Sequence, residues 1–221
     1  TDGDFITSWG EASCLDPADR YNGTFRDPHG IYVSPDDTIW LTDTQTHTVT
    51  KHTRLGEKLM ELGRRDYANV AVSQTGDHGL PFNMPSGVVV NDAGQILVSD
   101  GYANRNVHTF SPDGELLSSW GRAGTGPCEF GMLHNIGIDN AGRIYIADRP
   151  NSRVQILDQD GWITFAIESV VAELTLDRLF GTADAGSSEL GGVALHLRQA
   201  AERLFYIGGL QALDIGQRCT A

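Results

Sequence analysis

Four side chains in this sequence have types suited to chemistry. His29 stands in "DPHG" and His134 in "LHNIG". Each lies just before the residue that opens a short apolar strand. Imidazoles converging on one axis can hold zinc or another transition metal. A catalytic zinc takes three protein ligands, so the pair alone leaves two readings: part of a metal site, or two histidines that cap turns by hydrogen bonding across a rim. Tyr102 follows "SDG" and Arg149 follows "IAD". Beside a metal, a phenol is a candidate base and a guanidinium a candidate anion clamp. The plainer alternatives are rim packing for Tyr102 and a local carboxylate partner for Arg149.

These residues recur within a repeated frame. Residues 28–63, 85–121 and 133–167 each read as an apolar strand, an Asp/Gly turn, a second strand ending in Asp, a polar loop, a third strand, a turn and a fourth strand. The second strands are "TIWLTD", "QILVSD" and "RIYIAD", ending in Asp43, Asp100 and Asp148. The turns "NDAG", "SPDG", "DNAG" and "DQDG" supply the positive φ of tight hairpins. Four antiparallel strands about every 50 residues are the signature of a β-propeller blade. Residues 191–215 carry a weaker copy with three strands and no fourth. The missing piece stands at the other end: "GDFITSWG", residues 3–10, matches the strand-four sequence "GELLSSWG", residues 114–121. The expectation is an all-β, single-domain propeller over residues 1–221, with four blades and the N-terminal strand closing the last one and covering the open sheet edges. Residues 170–190 do not fit the frame and read as a short amphipathic helix or a degraded strand pair.

Aligning the blades on the residue that opens strand 1 pairs Gly30, Gly87, Asn135 and Gly192. His29 and His134 then share one rim position, occupied by Ser86 and Gly191 in the other blades. His196 falls at the opposite rim. His47, His52, His78 and His108 read as ordinary solvated residues. The three aspartates read as structural caps of the loops that follow them. After them come Thr44-Gln45, Gly101-Tyr102 and Arg149-Pro150, expected to face the same funnel as the histidines.

Composition narrows the function classes. The chain has 221 residues, 40% hydrophobic, with 26 glycines, a formal charge of −13 and a pI near 4.7. Such acidity argues against nucleic acid and against an anionic membrane surface. No apolar run approaches the ~20 residues of a membrane span. No signal peptide is visible, which leaves the compartment open; a soluble protein is expected, and a secreted or periplasmic one is compatible with the chain. Cys14, Cys128 and Cys219 form no CxxC pair and read as free or buried thiols, with one disulfide as the alternative. "NGT" at 22–24 matches a glycosylation acceptor at chance level.

The strings "FNMPSGVVV…ILVSDGYANRNVHTFSPDGELLSSWG" and "LHNIGIDNAGRIYIADRPNSRVQIL" resemble the NHL-repeat propellers, and among them the peptidyl-α-hydroxyglycine amidating lyases. The resemblance covers roughly residues 25–165. It implies a six-bladed fold, which this chain would carry in shortened form. It also implies three zinc-binding histidines, two of which map to His29 and His134. Tyr102 maps to the base and Arg149 to an arginine that orients the substrate carboxylate. The third histidine would fall at Gly191, and the family's structural calcium is not expected, because the aspartate beside that histidine has no counterpart. The resemblance thus implies a metal-dependent lyase that converts peptidyl-α-hydroxyglycine, or another small hydroxylated substrate, to a peptide amide and glyoxylate. The alternative from another class is a non-catalytic propeller that binds a ligand or a protein at its rim.

Overall fold

The computed structural model describes residues 7–10, 25–68, 81–158 and 163–168, together with Cys219. Within them the chain is all-β. Three four-stranded antiparallel meanders follow one another. Blade 1 comprises β1 (Pro28–Val33), β2 (Ile39–Asp43), β3 (Thr48–His52) and β4 (Lys58–Gly63). Blade 2 comprises β5 (Gly87–Val90), β6 (Ile96–Asp100), β7 (Asn106–Phe110) and β8 (Leu116–Trp120). A two-residue parallel pair, β9 (Arg122–Ala123) with β10 (Glu129–Phe130), bridges to blade 3. Blade 3 comprises β11 (Leu133–Ile138), β12 (Ile144–Asp148), β13 (Arg153–Leu157) and β14 (Ile163–Glu168). The first strands β1, β5 and β11 are neighbours in space, so they lie nearest the axis around which the blades turn.

The hairpins form where the sequence supplies left-handed residues. Gly94, Gly114 and Gly142 take φ of 76°, 88° and 74°. Blade 1 uses Asp37, at φ 62°, in the corresponding turn. Blade 2 buries both faces against its neighbours. β6 shows this most plainly: Ile96 and Val98 join the core shared with blade 1, whereas Leu97 joins the core shared with blade 3. Phe82 fills the first of these cores and Phe130 the second. Full burial of such a ring contributes about 2–3 kcal/mol.

A recurrent clasp links one blade to the next. The glycine closing the fourth strand of blades 1 and 2 has positive φ and packs on the phenylalanine that leads into the following blade. A Cβ at Gly63 (φ 85°) would sit 2.7 Å from Phe82, and one at Gly121 (φ 97°) 3.0 Å from Phe130. Gly10 (φ 100°) meets Phe25 in the same manner at 3.4 Å. The Trp9–Phe25 ring pair, at 6.3 Å and 49°, reproduces Trp120–Phe130 at 6.4 Å and 48°. Trp9 also lies under Gly56 as Leu62 lies under Gly114. Residues 7–10 therefore hold, on blade 1, the place that a fourth strand holds on the next blade. The expected partner strands at 191–215, and the irregular stretch 170–190, lie outside the described residues, as does His196.

Two expectations change. Cys128 and Cys219 are not free thiols: they form a disulfide with Cα atoms 5.4 Å apart and a sequence separation of 91. Nor are the strand-three histidines solvated. His52 is 2% exposed and His108 4% exposed, because Trp9 and Phe25 cover the first ring and Phe82 lies against the second. His108 lies between Ser119 Oγ (2.7 Å from Nδ1) and Asp100 Oδ2 (3.3 Å from Nε2). His47 is half-buried, and His78 lies outside the described residues.

Candidate functional site

The site grows from three backbone irregularities. The β11–β12 register steps from Leu133↔Asp148 to Asn135↔Ala147, so His134 is an extra residue in a bulge. The β1–β2 register likewise shifts between Pro28 and Ile31, around His29. A bulge re-aims the side chain it carries. β5 begins at Gly87↔Ser99, and Ser86 N–H donates to Ser99 O.

The third irregularity answers why "SDGYAN" differs from its counterparts. The loop after strand 2 joins Asp43 to Thr48 in blade 1 and Asp148 to Arg153 in blade 3, but Asp100 to Asn106 in blade 2. Blade 2 thus holds one extra residue. Main-chain bonds identify it: Thr44 N–H donates to Asp27 O (3.0 Å), Arg149 N–H to Met132 O (3.2 Å), and Tyr102 N–H to Met84 O (3.4 Å). Thr44, Tyr102 and Arg149 are therefore equivalent, and Gly101 is the insertion. The sequence alignment had set Gly101 beside Thr44. Gly101 lies against the Leu133 backbone of blade 3, so closely that a Cβ would overlap Leu133 O. Only glycine fits there, and that approach carries Tyr102 over the rim.

The aspartates act as expected. Asp43 accepts the N–H groups of Arg26, Gln45 and Thr46. Asp100 accepts Asn83 N–H and Asn104 Nδ2. Asp148 accepts Gly131 N–H and Arg153 Nε. All three are buried and fix the loops that carry the rim residues.

On this frame His29, Tyr102 and His134 come together. The His29 and His134 ring centroids are 5.2 Å apart, and Tyr102 lies 5.2 Å from His29 and 5.8 Å from His134. His29 Nδ1 is 2.7 Å from Ser86 O, and its Nε2 is 2.9 Å from Tyr102 Oη. A carbonyl only accepts, so Nδ1 carries the proton and Nε2 presents its lone pair. The phenol donates to that lone pair. Arg149 is exposed and stands in blade 3 at the place equivalent to Tyr102.

A metal can be tested against this donor set. An imidazole whose Nδ1–H is held by a carbonyl is in the tautomer of a metal ligand. The two close imidazoles fit as two of the three protein ligands of a catalytic zinc. Among the described residues no group of three or more His, Cys, Asp or Glu side chains forms a metal shell.

A family model described as a 6-bladed β-propeller matches residues 74–171, and an NHL-repeat model matches residues 25–51. The chain is 31% identical over 168 residues to NHL repeat-containing protein 3 of Homo sapiens, covering 72% of this chain and 44% of that protein. It is 32% identical over 142 residues to the peptidylglycine alpha-amidating monooxygenase of Rattus norvegicus, covering 60% and 14%. It is 37% identical over 95 residues to peptidyl-alpha-hydroxyglycine alpha-amidating lyase 1 of Drosophila melanogaster, covering 43% and 17%. The chain spans less than half the length of each of these relatives.

Proposed function

We propose that this chain, an NHL-repeat β-propeller, carries a lyase site of the amidating type on its rim. The substrate class is a peptidyl-α-hydroxyglycine or a similar small carbinolamide. The observation that carries the reading is the phenol of Tyr102 hydrogen-bonded to a tautomer-fixed His29, with His134 beside both. The similarity to amidating lyases supports it.

The residues divide the work. Tyr102, in its phenolate form, takes the proton from the substrate hydroxyl. The carbon–oxygen double bond of glyoxylate forms as the carbon–nitrogen bond breaks. The departing amide nitrogen keeps the bonding pair and receives the proton back from Tyr102, so atoms and charge balance. Arg149 receives the substrate carboxylate, for which a guanidinium fork is suited. His29, through the Nε2 lone pair that is freed once the Tyr102 phenol ionises, and His134 would hold a divalent metal such as zinc, whose charge would favour the ionised phenol and the ionised substrate hydroxyl.

The test is glyoxylate release from a peptidyl-α-hydroxyglycine by zinc-supplied protein. Tyr102→Phe keeps the ring and removes the acid–base group, so turnover should fall by ~10² to 10⁴ with the melting transition unmoved. The double variant His29→Ala/His134→Ala should lose zinc uptake. The two-histidine donor set favours a second reading, a rim that binds a ligand or protein without turning it over. Folded, zinc-supplied protein that releases no glyoxylate would select that reading.

A further inference from the structure

We propose that His47, which stands apart from the rim trio of His29, Tyr102 and His134, is a positioning residue that latches the rim site and releases it on acidification. His47 lies in the loop between β2 and β3, at φ 58°. Its Nδ1 accepts the main-chain N–H of Met84 at 3.1 Å, so Nδ1 is unprotonated. Met84 itself is held at φ 67°, an uncommon conformation for a side chain of its size. The strip that begins there sets both partners of the central hydrogen bond. Met84 O receives Tyr102 N–H, and two residues later Ser86 O receives His29 Nδ1–H.

The strip's other donors are already engaged. Asn83 N–H goes to Asp100, Ser86 N–H to Ser99 O, and Pro85 has none. Among the described residues, His47 is thus the one imidazole that accepts from the strip. A protonated imidazole has two N–H donors and no acceptor, so it would face Met84 N–H donor to donor. The strained residue would then lose the bond that holds it.

The charges around His47 set the direction. Burial disfavours the imidazolium and is the largest influence; Asp100 at the end of β6, Asp43 at the end of β2 and Asp66 after β4 favour it, and Arg26 before β1 opposes it. The balance lies below the ordinary histidine value of 6.5. The latch is therefore closed at neutral pH and opens as pH falls below that value.

The inference rests on reading the rim as a functional site, but its test does not depend on turnover. Two-dimensional NMR from pH 8 to 5 would follow the Met84 amide, the Tyr102 ring and the His47 imidazole. Expected is one shared step below pH 6.5 in all three. His47→Asn keeps a side-chain acceptor and tolerates the left-handed backbone, so it should abolish the step and leave Tyr102 in its neutral-pH position. His47→Leu, if folded, should show the acid-form Tyr102 signals at every pH. A Tyr102 step that survives unchanged in His47→Asn, or a Met84 step with a stationary Tyr102, would overturn the proposal. If glyoxylate is released, wild-type turnover should fall on the order of tenfold relative to His47→Asn across the step. If the step is present without glyoxylate release, the latch stands and the lyase reading fails.

Discussion

His52 occupies in blade 1 the register position that Phe110 fills in blade 2 and Leu157 in blade 3. Its Nδ1–H donates to Gly56 O at 3.2 Å, and its buried Nε2 has no partner among the described residues. Trp9 stacks on the ring at 5.0 Å. Protonation would place an unpartnered charge under that indole, and burial accordingly lowers the pKa from 6.5. A folded value below the unfolded one means that the unfolded chain binds the proton first. The neutral ring's contribution is therefore complete above pH 6.5 and is lost as pH falls from 6.5 to the lowered folded value. His52→Phe should flatten that loss. Melting temperatures at pH 7.5 and 5 should differ less in the variant than in the wild type, and an equal difference would place the acid sensitivity elsewhere.

Gly101 decides the geometry of the central loop. Replacing it with alanine pushes a methyl into the Leu133 backbone, which cannot swing aside as a side chain can. Gly101→Ala should cost about 3 kcal/mol or more. Its Tyr102–His29 bond should also be displaced, visible in the tyrosine ring signals. Unaltered stability by denaturant titration would mean that the loop relaxes freely. The strands of all three blades were legible, and so were the turns closed by Gly94, Gly114 and Gly142, because tight hairpins demand residues tolerant of positive φ. The convergence of His29, Tyr102 and His134 was legible through the repeat frame. The bulges at His29 and His134 were not, since a bulge is a register event and register is absent from a linear pattern. The Gly101 insertion left one trace, a loop one residue longer between Asp100 and Asn106 than in its neighbours. The burial of His52 and His108 was hidden for another reason. A blade covered on both faces loses the alternation of apolar and polar residues that marks an exposed side, as the wholly buried β6 shows.

Across the molecule, the Cys128–Cys219 bond ties the C-terminal end to the bridge between blades 2 and 3, where Cys219 joins their shared core. With a sequence separation of 91, the chain-entropy model gives a stabilisation of up to about 4–5 kcal/mol. Reductant should lower the melting transition of the wild type and leave that of Cys128→Ser unmoved; equal curves with and without reductant would show that the bond does not form in solution. The glycine–phenylalanine clasp has a consequence of another kind. Each clasp joins a blade only to its successor, so cooperativity along the chain is a product of nearest-neighbour couplings, as in a linear array of magnetic spins. Blade 2, coupled on both sides through two core clusters, is then the most strongly held of the three described blades.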